Sequence, residues 1–154
     1  MLTKEQQEKF MREALKLCDD ALKQNEVPVA ALVIKDSIII GRGINRRFLD
    51  SDPSSHAEIV AMREAGKHLG VWNLSGCDLL VTLEPCAMCA GACVNARIGN
   101  IYFGAFDIRY GYCGSLGNIA TDERLNHRCV VTGGILEEDC LKPLKAFFKE
   151  RRKK

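Results

Sequence analysis

DLLVTLEPCAMCAGACVNA, residues 78–96, changes its reading once, at Pro85. Asp78 to Thr82 is a short apolar run that predicts a buried strand, and Cys86 to Ala96 predicts a helix. Pro85 suits a helix start, because its missing N–H would find no intrahelical partner there. Ile101 to Gly104 reads as the next strand, so the segment is β-α-β and implies a right-handed crossover between parallel strands. Upstream, His56 to Leu69 predicts a helix. Val27 to Ile34 and Ser37 to Ile44 predict two strands hinged at Lys35-Asp36. Their nearly continuous apolar residues point to central strands covered on both faces. Lys4 to Lys23 carries Phe10, Ala14, Leu15, Leu17, Cys18, Ala21 and Leu22 at helical spacing, and a last helix is expected from about Glu137 to Arg152. The order predicts an α/β fold with a partly parallel sheet between helices.

The 154 residues, 47% hydrophobic and 27% charged, suit one domain, 1–154, with a single core, and no repeat or linker divides them. Met1 to Lys9 lacks an apolar h-region, and no stretch approaches the roughly 18 apolar residues of a membrane span. A cytoplasmic protein with no membrane partner is the expectation. Eight cysteines in a chain able to build an ordinary core argue for a reducing compartment rather than a disulfide scaffold. Cys18, Cys77, Cys93, Cys129 and Cys140 sit in apolar or helical patterns and read as small buried hydrophobes. The net charge of +2 conceals a basic end: Lys142 to Lys154 holds seven bases and one acid, a local +6, leaving −4 elsewhere. Charge alone allows two readings, a solubilising helix C-terminus or a polyanion-binding tail.

His56-Ala57-Glu58 and Pro85-Cys86-Ala87-Met88-Cys89 spell H-x-E and P-C-x-x-C, the general signature of zinc nucleobase deaminases. Both motifs fall at expected helix starts, on the carboxyl edge of the sheet, where α/β folds place chemistry. Cys86 and Cys89, three apart, share one face of the first turn, and the helix N-terminus is expected to lower both thiol pKa values. His56 with the two thiolates gives three ligands for one zinc ion, and Cys93, His68 and His127 are expected to stay off the metal. The fourth position is then open, as in catalytic rather than structural sites. Zinc acidifies the water it binds there to about pH 7. Glu58 is the expected proton shuttle, accepting the water proton, passing it to a ring nitrogen and then protonating the departing amine as ammonia.

Longer segments carry a resemblance. Glu26-Val27-Pro28-Val29, Asp52 to Glu58, Val81 to Ala92, Arg97-Ile98-Gly99, Gly114-Ser115-Leu116 and Asn126-His127-Arg128 resemble the bacterial tRNA-specific adenosine deaminases over nearly the whole chain. The resemblance implies a three-layer α/β/α cytidine-deaminase-like fold around a mixed five-stranded sheet. It implies a homodimer with one zinc per subunit, and conversion of the wobble adenosine in a tRNA anticodon stem-loop to inosine. Asn45 matches the asparagine that bonds the flipped base, with the Ala57 backbone beside the ring, and Asp107 matches a contact to the nucleotide sugar. Phe147, Phe148, Arg151 and Arg152 are similar to the C-terminal helix that meets the anticodon loop. The chain departs from the family at Ala30, Trp72-Asn73, Arg109-Tyr110 and Tyr112-Cys113. Two other readings stay open: a deaminase of a free base or nucleoside, of guanine or cytidine type, and a zinc-bound RNA-binding module without turnover. Asn45, Asp107 and Phe147 likewise have plainer readings, as a strand cap, a turn former and a core residue.

Overall fold

A computed structural model describes residues 1–152, with elements α1 (Lys4–Lys23), β1 (Ala30–Lys35), β2 (Ile38–Ile44), α2 (Ala57–Leu69), β3 (Cys77–Leu83), α3 (Ala87–Ala96), β4 (Asn100–Ala105), β5 (Val130–Thr132) and α4 (Glu137–Arg152). The two-residue period of the strands builds the layers. Ala31, Val33, Leu79, Val81, Ile101 and Phe103 pack with Ala61, Met62 and Ala65 of α2 and Ala90, Cys93 and Val94 of α3. Their neighbours Ala30, Leu32, Ile34, Leu80 and Tyr102 face Phe10, Met11, Ala14 and Cys18 of α1 and Cys140 of α4. The result is the expected three-layer α/β/α arrangement around a mixed five-stranded sheet.

The strand order is β2-β1-β3-β4-β5. β1 is antiparallel to both neighbours, while β3, β4 and β5 run parallel. β1 is central, as expected, but β2 is an edge strand and corrects the reading of Ser37 to Ile44. Its apolar run is explained by one covered face: α2 lies so close that a Cβ on Gly41 or Gly43 would come within 2.3 Å of Ala61 O or 2.2 Å of Ala57 O. β1 also begins three residues later than expected, because Pro28 has no N–H to give the ladder and Val29 N turns back to Val27 O at 2.8 Å.

Register places the chemistry. β2, β3 and β4 point the same way, with Ile44 beside Ala30, Val81 beside Ala31 and Leu83 beside Ala105. The loops that leave these strands therefore share one edge of the sheet. All eight cysteines are free, seven of them buried. Among the described residues no helix is long and apolar enough to cross a membrane.

Candidate active site

His56 and Cys86 are the N-cap residues of α2 and α3, with extended backbones, yet neither side chain caps its helix. A Ser, Thr, Asp or Asn at that position would bond the first turn; here the imidazole and the thiol are left for each other. The loop before His56 is tied internally. Asp52 Oδ1 accepts Ser54 N at 2.8 Å, and Arg46 N donates to Ser55 O at 2.9 Å. Nδ1 of His56 ends 3.6 Å from Sγ of Cys86 and 3.6 Å from Sγ of Cys89. The three donor atoms all lie within 4.8 Å of one another.

This spacing tests the fit to zinc. Tetrahedral zinc, with Zn–S of about 2.3 Å and Zn–N of about 2.0–2.1 Å, separates sulfur and nitrogen ligands by about 3.6 Å. Both nitrogen–sulfur separations thus fit a tetrahedral zinc ion. No fourth His, Cys, Asp or Glu joins them among the described residues. Cys93 is buried in the core, His127 Nε2 lies 2.7 Å from Ile98 O, and His68 is exposed. The set has the form of an open, catalytic site.

Glu58, in the first turn of α2, is 4% exposed. Burial pushes its carboxyl up to about 7, the nearby Cys86 sulfur adding to the rise, so it titrates near neutral pH. Cys86 follows the expected fall and Cys89 departs from it. A hydrogen bond from Cys89 brings Cys86 down to about 4, whereas the same bond and burial push Cys89 up.

Residues 4–105 match the family described as the cytidine and deoxycytidylate deaminase zinc-binding region. A tRNA-specific adenosine deaminase of Bacillus subtilis (strain 168) is 46% identical over 149 residues, covering 97% of this chain and 92% of the relative. The chain belongs to the tRNA-specific adenosine deaminase family. A structure from a study of A-to-I editing by tRNA deaminases at the wobble position superposes on this family member with a TM-score of 0.84 at 38% identity, covering 88% of this chain and 98% of that one. A guanine deaminase from Nitrosomonas europaea shares the fold at 25% identity and a TM-score of 0.77, covering 89% and 81%.

In this deaminase family member the remaining sequence-predicted residues gather on the same edge. Asn45 follows β2, and its Oδ1 accepts Arg47 N at 3.1 Å. Ala57 is buried between His56 and Glu58. Asp107 follows β4, and its Oδ1 accepts Arg109 N at 3.0 Å and Tyr110 N at 3.2 Å. Asn45 and Asp107 therefore do shape turns, with amide N–H groups and a second carboxylate oxygen left over. The tail reaches the loop that precedes His56 through Arg151. Its guanidinium lies 4.7 Å from the Phe147 ring and 5.5 Å from the Phe48 ring, and donates to Asn25 O at 3.0 Å. Phe147 is half-buried and meets Phe148 edge-on at 5.4 Å, while Phe148 and Arg152 are exposed. Lys153 and Lys154 of the basic end lie outside the described residues.

Three participants carry no role in the sequence reading. Phe48, 56% exposed, has Arg47 5.7 Å from its ring as well as Arg151. Glu26 and Glu84 are buried acids, each fastening one rim loop: Glu26 Oε1 accepts Leu49 N at 2.8 Å, and Glu84 takes the 106–117 loop. Glu84 did carry a sequence signal, an acid directly before Pro85 at the end of an apolar run with no base next to it, whereas Glu26, two residues before Pro28, carried less of one.

Proposed function

We propose that this chain is a zinc-dependent hydrolytic deaminase that converts the wobble adenosine of a tRNA anticodon to inosine and releases ammonia. One observation carries the reading: a three-donor metal cluster, a buried carboxylate and an aromatic-basic strip lie on one edge of the sheet. His56, Cys86 and Cys89 would hold the zinc ion. Zinc in an open site lowers the pKa of bound water to about 7 and so supplies a nucleophile at neutral pH. Glu58, buried beside the ligands, takes a proton from the attacking water, delivers it to the ring nitrogen, then takes the proton of the newly added hydroxyl and hands it to the leaving amine. Asn45 uses its free amide N–H groups on the base, with the Ala57 backbone alongside. Asp107 Oδ2 takes a sugar hydroxyl, a contact that favours RNA over DNA.

The choice of a polynucleotide over a free base rests on the strip. Phe48, Phe147 and Phe148 offer faces on which unpaired bases stack, and Arg47, Arg151 and Arg152 meet phosphates. A free base needs none of these. The likeness to a guanine deaminase sets the competing outcome of the test. Zinc-loaded protein is incubated with an anticodon stem-loop bearing the wobble adenosine and, separately, with guanine and free nucleosides. Inosine in the stem-loop with ammonia release supports the reading; turnover confined to the free compounds overturns it.

The whole chain, 1–154, would act as one deaminase domain, working in the cytoplasm; the eight free thiols support that reading. We assign the homodimer to the outer face of α2 and α3. There an open groove of about 600 Å³ is lined by Ile59, Met62, Trp72, Ala92 and Ala96, with Val71 and Trp72 51% and 71% exposed beside it. An apolar patch of that kind suits a self-complementary contact. The role of Trp72 would be to fill the partner's groove.

A further inference from the structure

Glu84 lies between the last residue of β3 and the ligand turn, and is 2% exposed. Among the described residues no Lys, Arg or His pairs with it. Its carboxylate instead collects donors from a single loop. Oε1 accepts Asp107 N at 3.1 Å and the Ser115 hydroxyl, and Oε2 accepts Cys113 N at 3.1 Å and Ser115 N at 3.0 Å. The loop is wound so tightly that a Cβ at Gly111 would come within 2.3 Å of Glu84 Cδ. Gly111 also bridges to Cys86, and Tyr112 N donates to Pro85 O at 2.9 Å. One buried carboxylate thus joins the loop that presents Asp107 to the turn that presents Cys86 and Cys89.

We propose that Glu84 is a positioning residue for nucleotide recognition, fixing Asp107 relative to the metal ligands by gathering the backbone of residues 107–115. The inference rests on the RNA deaminase reading above. Four donors on two oxygens demand a group that only accepts. In Glu84→Gln the amide N–H₂ must face at least one donor that cannot reverse. The favoured flip turns it toward Asp107 N, since the Ser115 hydroxyl alone can rotate to accept. Asp107 is then the residue released.

The test uses the zinc-loaded full chain. In Glu84→Gln, amide hydrogen exchange at Asp107 should quicken at least about tenfold, the loss of a hydrogen bond to a charged group, and at Cys113 and Ser115 by a smaller factor, with zinc content and exchange elsewhere unchanged. On the stem-loop, KM should rise about tenfold while kcat stays within about threefold. Added to Asp107→Ala, the Glu84 change should cost nothing further. Ser115→Ala should quicken the same amides by a smaller factor, and it decides the matter if Glu84→Gln does not fold. Unchanged exchange in the loop, zinc loss, or effects that multiply with Asp107→Ala would overturn the proposal. Absence of inosine with the wild-type chain would overturn the tRNA reading instead, and loop exchange would then decide the hold of Glu84 by itself.

Discussion

Gly43→Ala is expected to disable the site from the far side of a helix. The added Cβ would lie 2.2 Å from Ala57 O, 2.7 Å from Ala61 N and 3.0 Å from Val60 Cβ. The first distance is short of the 3.4 Å where ordinary contact begins by 1.2 Å, and the first two obstacles are backbone. Neither can swing away. The start of α2 must retreat by about 1 Å, taking His56 and Glu58 with it. Overpacking of this kind costs about 1–3 kcal/mol, or a fall in Tm of about 2–12 °C for a chain of this size. Misplacing reacting groups by about 1 Å costs on the order of a hundredfold in rate. Gly91→Ala on α3 is the control, because its Cβ would meet nothing within 4 Å; it should stabilise by about 0.5–1 kcal/mol. The measurements are thermal unfolding of the zinc-loaded protein and kcat for inosine formation. Wild-type Tm and kcat in Gly43→Ala would refute the argument that the β2 glycines set the position of the site.

Glu58→Gln should keep stoichiometric zinc by elemental analysis and lose about 10²–10⁴ in kcat; retained turnover would remove Glu58 from the proton path. His56→Ala should lose the metal itself, and a chelator should lower the Tm of the wild type but not of this variant. Arg151→Ala should weaken stem-loop binding and reduce the slope of log affinity against log salt by about 1, the loss of one phosphate contact. An unchanged slope would return the tail to a solubilising role.

Some of this was open to inspection in the chain and some was not. Pro85 between a strand pattern and a helix pattern located α3, and the register of β2, β3 and β4 then left little freedom for the two motifs. The edge position of β2 was hidden because Gly41 and Gly43 let α2 cover one face completely, giving an edge strand the composition of a central one. β5 is three residues, Val130–Thr132, half exposed, too short to show a period. His56, Cys86, Cys89 and Glu58 were legible because metal chemistry restricts residue type and spacing. Phe48, Glu26 and Glu84 were not, since their roles exist only across sequence gaps: Phe48 meets Arg151, Glu26 meets Leu49, and Glu84 meets Asp107 and Ser115. The pairing of Cys86 with Cys89 shows the same limit. A helix N-terminus predicts two lowered thiols, and only the contact between them separates a lowered Cys86 from a raised Cys89.

The central claim is that three protein ligands and one buried acid hydrolyse an adenosine held in RNA. Its most direct test is mass spectrometry of the anticodon stem-loop after incubation with the zinc-loaded chain in isotopically labelled water. The account predicts a single inosine at the wobble position carrying one labelled oxygen, with an equivalent of ammonia released, and both formed about 10²–10⁴ times more slowly by Glu58→Gln. An unmodified stem-loop at full zinc occupancy, or equal conversion by Glu58→Gln, would contradict it.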